Sequence, residues 1–169
     1  MKSMAQNVDP VERIRDIETL ALEEARRGLE VQRAAVDEVR SRTAIVLAAS
    51  AVVMSFLGGQ ALRQAGWSIV SDLALLAFGG TLALGAGVLW PIKGGWRFRA
   101  DATVILEDFA DADPPPDISA RRHVAVSLQS ASKLNAVRLG RLYLRFQVAC
   151  LGLGIQTVLW VIVLSDANA

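Results

Sequence analysis

Residues 37–53 read DEVRSRTAIVLAASAVV, and the stretch changes character in the middle. Up to Arg42 a charge recurs every two or three residues. From Thr43 none appears until Arg63. Two further runs share this property. Thr43–Leu62, Leu73–Ile92 and Phe146–Ser165 each span twenty residues without a charged side chain. A helix of that length rises about 30 Å, the hydrocarbon thickness of a bilayer. Buried core helices are usually shorter and keep a polar face. The sequence therefore predicts an all-α integral membrane protein with three transmembrane helices, near 43–62, 69–91 and 146–165.

The chain has 169 residues, 53% of them hydrophobic, and a formal net charge of +1. The net charge says little, but its distribution sets an orientation. Arg and Lys are retained on the cytoplasmic side of a membrane. Of the 18 basic residues, eight precede the first span and nine lie between the second and third. Only Arg63 falls in the link between spans one and two. This bias predicts a cytoplasmic N-terminus, a cytoplasmic segment 93–145, and an outer C-terminal tail at 166–169. The first apolar run begins only at Thr43, too late for a signal peptide. Cys150 is the single cysteine and reads as a small packing residue; no internal disulfide is possible.

The segment 1–42 predicts a helix. Asp9-Pro10 is a helix-start pair, and strong helix formers follow without a further proline. Leu22, Ala25, Leu29, Gln32, Val36 and Val39 recur at 3-4-3-4 spacing and form one stripe. Glu23–Arg27 and Glu30–Arg33 sit one turn apart on the wet side. Nothing breaks the helix at Arg42–Thr43, so one helix should continue into the first span. The stripe suits packing on the chain's own second cytoplasmic helix, or self-association.

That second helix should begin at Asp117 or Ser119, after a short helix at 101–110 and a linker containing Pro114, Pro115 and Pro116. Its apolar line is Val124, Leu128, Ala131, Leu139, Leu142 and Phe146, with Asn135 set in it. It should run unbroken into the third span. Trp90 and Trp96 suit a headgroup region, and Trp90-Pro91 ends the second span.

No catalytic constellation is visible. There is one histidine, His123, and no metal-spaced His/Cys cluster, nucleophile elbow, phosphate loop or dinucleotide fingerprint. The expectation is a protein that is not an enzyme, with no cofactor, no metal and no nucleic-acid partner. Three features invite binding or assembly. Gly79, Ala83 and Gly87 recur every four residues, giving a face for packing within the subunit or for a seam between subunits. Arg138, Arg141 and Arg145, with Asn135 one turn earlier, offer planar donor forks that match lipid headgroups or an anionic ligand. Arg121 and Arg122 could assist. The acidic strip Glu107, Asp108, Asp111, Asp113 and Asp117 reads as a solvated linker or as a docking surface for the arginines.

The order of these features is similar to a known group. EARRGLEVQRAAVDEVRSRTAIVLAASAVVMSFLGG enters the first span, the second span closes on LWP followed by W-x-F, and KLNAVRLGRLYLRFQVA enters the last. The chain resembles the small transmembrane effectors of Pycsar antiphage defence, and more loosely the SLATT-type membrane effectors, over roughly residues 20–164. Asn135, Arg138, Arg141 and Trp90-Pro91 match the pattern. The resemblance implies a partner uridylate or cytidylate cyclase, an activating cyclic CMP or cyclic UMP, and a homo-oligomer. It also implies loss of inner-membrane integrity and abortive infection. The alternative expectation is a small membrane scaffold or accessory subunit that holds a cytoplasmic partner without forming a pore.

Overall fold

The computed structural model describes residues 10–90, 96 and 119–167. The expected short helix at 101–110, the proline linker, the acidic strip and Pro91 lie outside the described residues. Among the described residues every regular element is helical and no strand occurs. Helix α1 covers Pro10–Val53 and passes through a five-residue π-helical turn, Met54–Gly58, into α2, Gly59–Gln64. Helix α3 covers Ile69–Leu89 and α4 covers Ala120–Ala167. All three long helical stretches are long and apolar enough to cross a membrane.

The local chemistry of the helix ends follows the sequence. Gly66 takes φ +70° in the turn between α2 and α3, a conformation disfavoured for a residue with a Cβ. Ser68 then caps α3: its hydroxyl accepts from the Ser71 amide at 3.2 Å. Asp72 stands in the first turn of α3, where a negative charge complements the helix dipole. Helix α3 ends at Leu89. Trp90 is extended, with ψ 126°, as expected for a residue that precedes a proline.

The chain divides into two compact units, and the boundaries at 34/35 and 137/138 are not helix ends. The first unit pairs α1 up to Ala34 with α4 up to Val137. Ala25, Leu29, Val124 and Leu128 form its core, with Leu22 packed beside them. These are residues of the two apolar lines, one from each helix. The pair runs parallel: Arg121 bonds Thr19 near one end, and Gln32 bonds Ser132 farther along both helices. Burying Leu29 fully contributes about 1.5–3 kcal/mol.

The second unit contains α1 from Ala35, the π turn, α2, α3, and α4 from Arg138. Helix α3 runs antiparallel to both neighbours. Gly87 lies by Arg145, Thr81 by Gly152, and Ala74 shares a cluster with Trp160 and Val163. On the other side Gly85 meets Leu47, and Ala61 joins the Ala74 cluster. The result is an up-down-up bundle of three helices.

The exterior of this unit is apolar like its interior, unlike that of a water-soluble domain. Thr43, Ser50, Ser71, Thr81 and Gln156 are buried, whereas Ile45, Val52, Phe56, Leu76, Leu151, Ile155 and Val158 are exposed. A continuous apolar exterior of this kind is unfavourable in water. Small and polar side chains buried beside Val88, Trp160 and Val163, with large aliphatic ones outside, suit helix packing in hydrocarbon.

Candidate functional site

Five uncharged polar side chains of the apolar helical stretches, Ser50, Ser55, Thr81, Gln156 and Thr157, are the sequence's candidates for lining a wet path. The structure gives each an internal partner. Ser55, Thr81 and Thr157 donate to the carbonyls of Ala51, Ala77 and Leu153, one turn back along their own helices. Ser50 and Gln156 bond each other. The serine hydroxyl donates to Gln156 Oε1 at 2.7 Å, and Gln156 Nε2 donates to the Ser50 carbonyl at 3.0 Å. Both residues are fully buried. The pair is a clasp between α1 and α4.

Close backbone approach occurs at glycines other than Gly79, Ala83 and Gly87. A Cβ on Gly152 would collide with the Thr81 hydroxyl, and one on Gly85 would come within 2.5 Å of Leu47 Cδ2. Gly79 and Ala83 are exposed, and a Cβ on Gly79 would meet nothing within 4 Å. Gly79 and Ala83 thus lie outside the packing of the three helices. The α3 residues that are buried are Ser71, Ala74, Thr81, Gly85 and Val88. Their positions follow from which side of α3 meets α1 and α4, and a single sequence does not settle that.

The arginine group separates by environment. Asn135 is fully buried in the first unit, on the same line as Leu128 and Ala131. In the second unit Arg138 is half-buried, while Arg141 and Arg145 are exposed. Arg145 is already engaged: its Nη1 donates to the Gly87 carbonyl at 3.2 Å. In a continuing helix that carbonyl would accept from residue 91. Residue 91 is a proline and has no amide hydrogen. Arg145 therefore supplies a donor, and a positive charge, to the C-terminal end of α3. Trp90 next to it is exposed.

A second group of arginines lies in the first unit. Helix α4 begins beside α1, and the two enclose an open groove of about 650 Å³. Arg15 and Glu18 of α1 line it, together with Arg121 and Arg122 of α4; Val11 and Ile14 form an apolar wall. Ser119 starts the helix, accepting from the Arg122 amide at 3.3 Å on its hydroxyl and from the His123 amide at 3.1 Å on its carbonyl. Thr19 ties the two helices across the groove. Its hydroxyl donates to the Arg15 carbonyl at 2.8 Å and accepts from Arg121 Nη1 at 3.1 Å. Arg121 and Arg122 are visible in the sequence, but Arg15 and Thr19 join them only through the parallel pairing of α1 and α4.

Among the described residues no group of three His, Cys, Asp or Glu side chains could hold a metal ion. No family model, no curated protein and no solved structure matches this chain.

Proposed function

We propose that this chain is a membrane-disrupting effector of antiphage defence. It is activated by a cyclic pyrimidine nucleotide, cyclic CMP or cyclic UMP, that a partner cyclase makes. The reading places α1 from about Thr43, α3, and α4 from about Phe146 in the cell inner membrane. The N-terminus and the segment 93–145 face the cytoplasm and the C-terminus faces outward. The protein is not an enzyme on this reading and performs no bond-making step. The observation that carries the reading is continuity. Helices α1 and α4 each run without a break from a helical pair into a bundle with an apolar exterior. The one-sided distribution of Arg and Lys supplies the orientation.

Three helices cannot enclose a pore, and here their polar side chains are spent on internal bonds. Membrane damage on this reading needs a homo-oligomer. A ligand shifts such an assembly only by binding one arrangement more tightly than the other. Moving it from mostly closed to mostly open takes about 5.5 kcal/mol of preference, which several bound copies reach more readily than one.

The test is membrane potential, followed with a voltage-sensitive dye in cells expressing the chain. Cyclic CMP or cyclic UMP is supplied, with cyclic AMP as control. Rapid depolarisation with a pyrimidine nucleotide alone is the expected result. Silence with all three, in cells where insertion is verified, overturns the reading and favours the second one, a membrane scaffold for a cytoplasmic partner. The exposed aliphatic residues Ile17, Leu20, Val31 and Val126 of the first unit favour that alternative, since such side chains suit a docking surface.

A further inference from the structure

The first turn of α4 breaks an electrostatic preference. A helix start carries a partial positive charge and normally attracts Asp or Glu. Here the first turn contains no acid, and Arg121, Arg122 and His123 stand in succession. Arg15 joins the arginines from α1, so three guanidinium groups and one carboxylate, Glu18, share the groove. Placing like charges together at a positive helix end is unfavourable unless an anion neutralises them. Local violations of this kind occur at functional sites.

The geometry points to a binding site for a phosphate-bearing anion of mononucleotide size in the groove between Arg15 and the Arg121–Arg122 pair. Four features of the groove fit that class. Arginine forks match phosphate oxygens two at a time. The start of α4 carries a partial positive charge that favours an anion, with the Arg122 and His123 amides taken up by Ser119. Thr19 holds Arg121 from the α1 side through a bond that leaves the rest of its fork available. Val11 and Ile14, 62% and 59% exposed, provide an apolar wall of the kind that covers the face of a ring. The volume of about 650 Å³ is in the range of small-ligand sites. A single phosphate with an attached ring would meet charge at one end and hydrocarbon at the other. The effector reading supplies the candidate, a cyclic pyrimidine nucleotide, and to that extent the inference rests on it. The shared chemistry, a phosphate diester, also occurs in anionic lipid headgroups.

The experiment uses the full chain in nanodiscs of phosphatidylcholine. Equilibrium dialysis measures cyclic CMP and cyclic UMP, with cytidine as the probe lacking phosphate. Binding of a nucleotide without binding of cytidine is expected. Affinity should fall at least tenfold in R121Q/R122Q and in R15Q, and part of it should return in R121K/R122K. Helicity by circular dichroism checks that the variants keep their fold. In a parallel arm the discs contain phosphatidylglycerol, and amide exchange of residues 119–123 is followed. Arginine-dependent protection there, without nucleotide, identifies a lipid headgroup as the source of the phosphate. Failure of every phosphate-bearing probe to bind, or binding that ignores all three arginines, overturns the site. Depolarisation is scored separately. Nucleotide-driven depolarisation that survives R15Q and R121Q/R122Q sinks the groove but spares the effector. Arginine-dependent binding without depolarisation does the reverse.

Discussion

Ser50 and Gln156 hold each other by two hydrogen bonds inside the bundle, at 2.7 and 3.0 Å, and water reaches neither. The serine contributes its hydroxyl and its carbonyl, and the glutamine uses both ends of its amide. Polar bonds between helices in hydrocarbon average below 1 kcal/mol and reach roughly 1.7. Replacing Gln156→Leu removes both, and we expect a loss of about 1–2 kcal/mol, since Ser50 loses its hydroxyl partner. The double variant S50A/Q156L should lose less than the sum of the single variants. Unfolding in detergent micelles, measured for the four members of the cycle, checks this. Strict additivity would mean that the two residues do not interact.

Arg145 is expected to act as a cap on α3. Arg145→Gln removes the charge that faces the helix end and weakens the donor to Gly87. A cost of about 1 kcal/mol is expected, combining the bond with the dipole term. The loss should shrink little in high salt if the bond dominates and more if the charge does. Thermal unfolding at two ionic strengths separates the two. Arg141→Gln, which has no bond of this kind among the described residues, should change stability by less than half as much.

Glycines of α3 and α4 should differ sharply in their tolerance of a methyl group. Gly152→Ala drives a Cβ into the Thr81 side chain, and overpacking of this sort costs roughly 1–3 kcal/mol. Gly79→Ala meets open space and gains helix propensity, so it should be neutral or slightly stabilising in the isolated chain. Stability of the two variants in dilute micelles is the first measurement. If Gly79→Ala instead disrupts a cross-linkable oligomer, the exposed small face is a seam between subunits.

Trp160 is fully buried, and its indole N–H has no partner among the described residues. The side chain therefore acts through shape. Trp160→Phe should cost less than Trp160→Ala, which leaves a large cavity and about 3–5 kcal/mol of destabilisation. A loss for phenylalanine as large as for alanine would reveal a hydrogen bond that the geometry does not contain. Denaturant titration of both variants decides it.

Much of the fold was legible in the residues. The charge-free runs and the 3-4 lines through Leu29 and Leu128 mark the helices and the faces they bury, because both signals are local in sequence. Asn135 sits on such a line and is buried with it. Partner choice was not legible. That Gln156 meets Ser50, or that Arg145 reaches the carbonyl of Gly87, depends on the rotation of one helix against another. Apolar residues on every side of a span leave that rotation undetermined. The same ambiguity hid Gly85 and Gly152 behind the more regular Gly79, Ala83 and Gly87. The groove at the start of α4 was half visible. The unusual basic turn is in the sequence, but Arg15 and Thr19 join it only through the parallel pairing.

The five-residue π turn at Met54–Gly58 bears on where the chain can be shortened. Such a turn holds one residue more than an α-helical turn, and the helix continues through it without a break. It lies where Gly58 passes Trp160, so the surplus residue is confined between the Ser50 clasp and the Ala61 contact. Deleting one codon between Met54 and Leu57 would convert the turn to regular α-helix and leave the frame of contacts on either side intact. Deleting one codon between Ala44 and Ala49 would rotate Leu47 or its neighbours off their partners. In this stretch the reading frame of the helix tolerates a shortened chain at one address only.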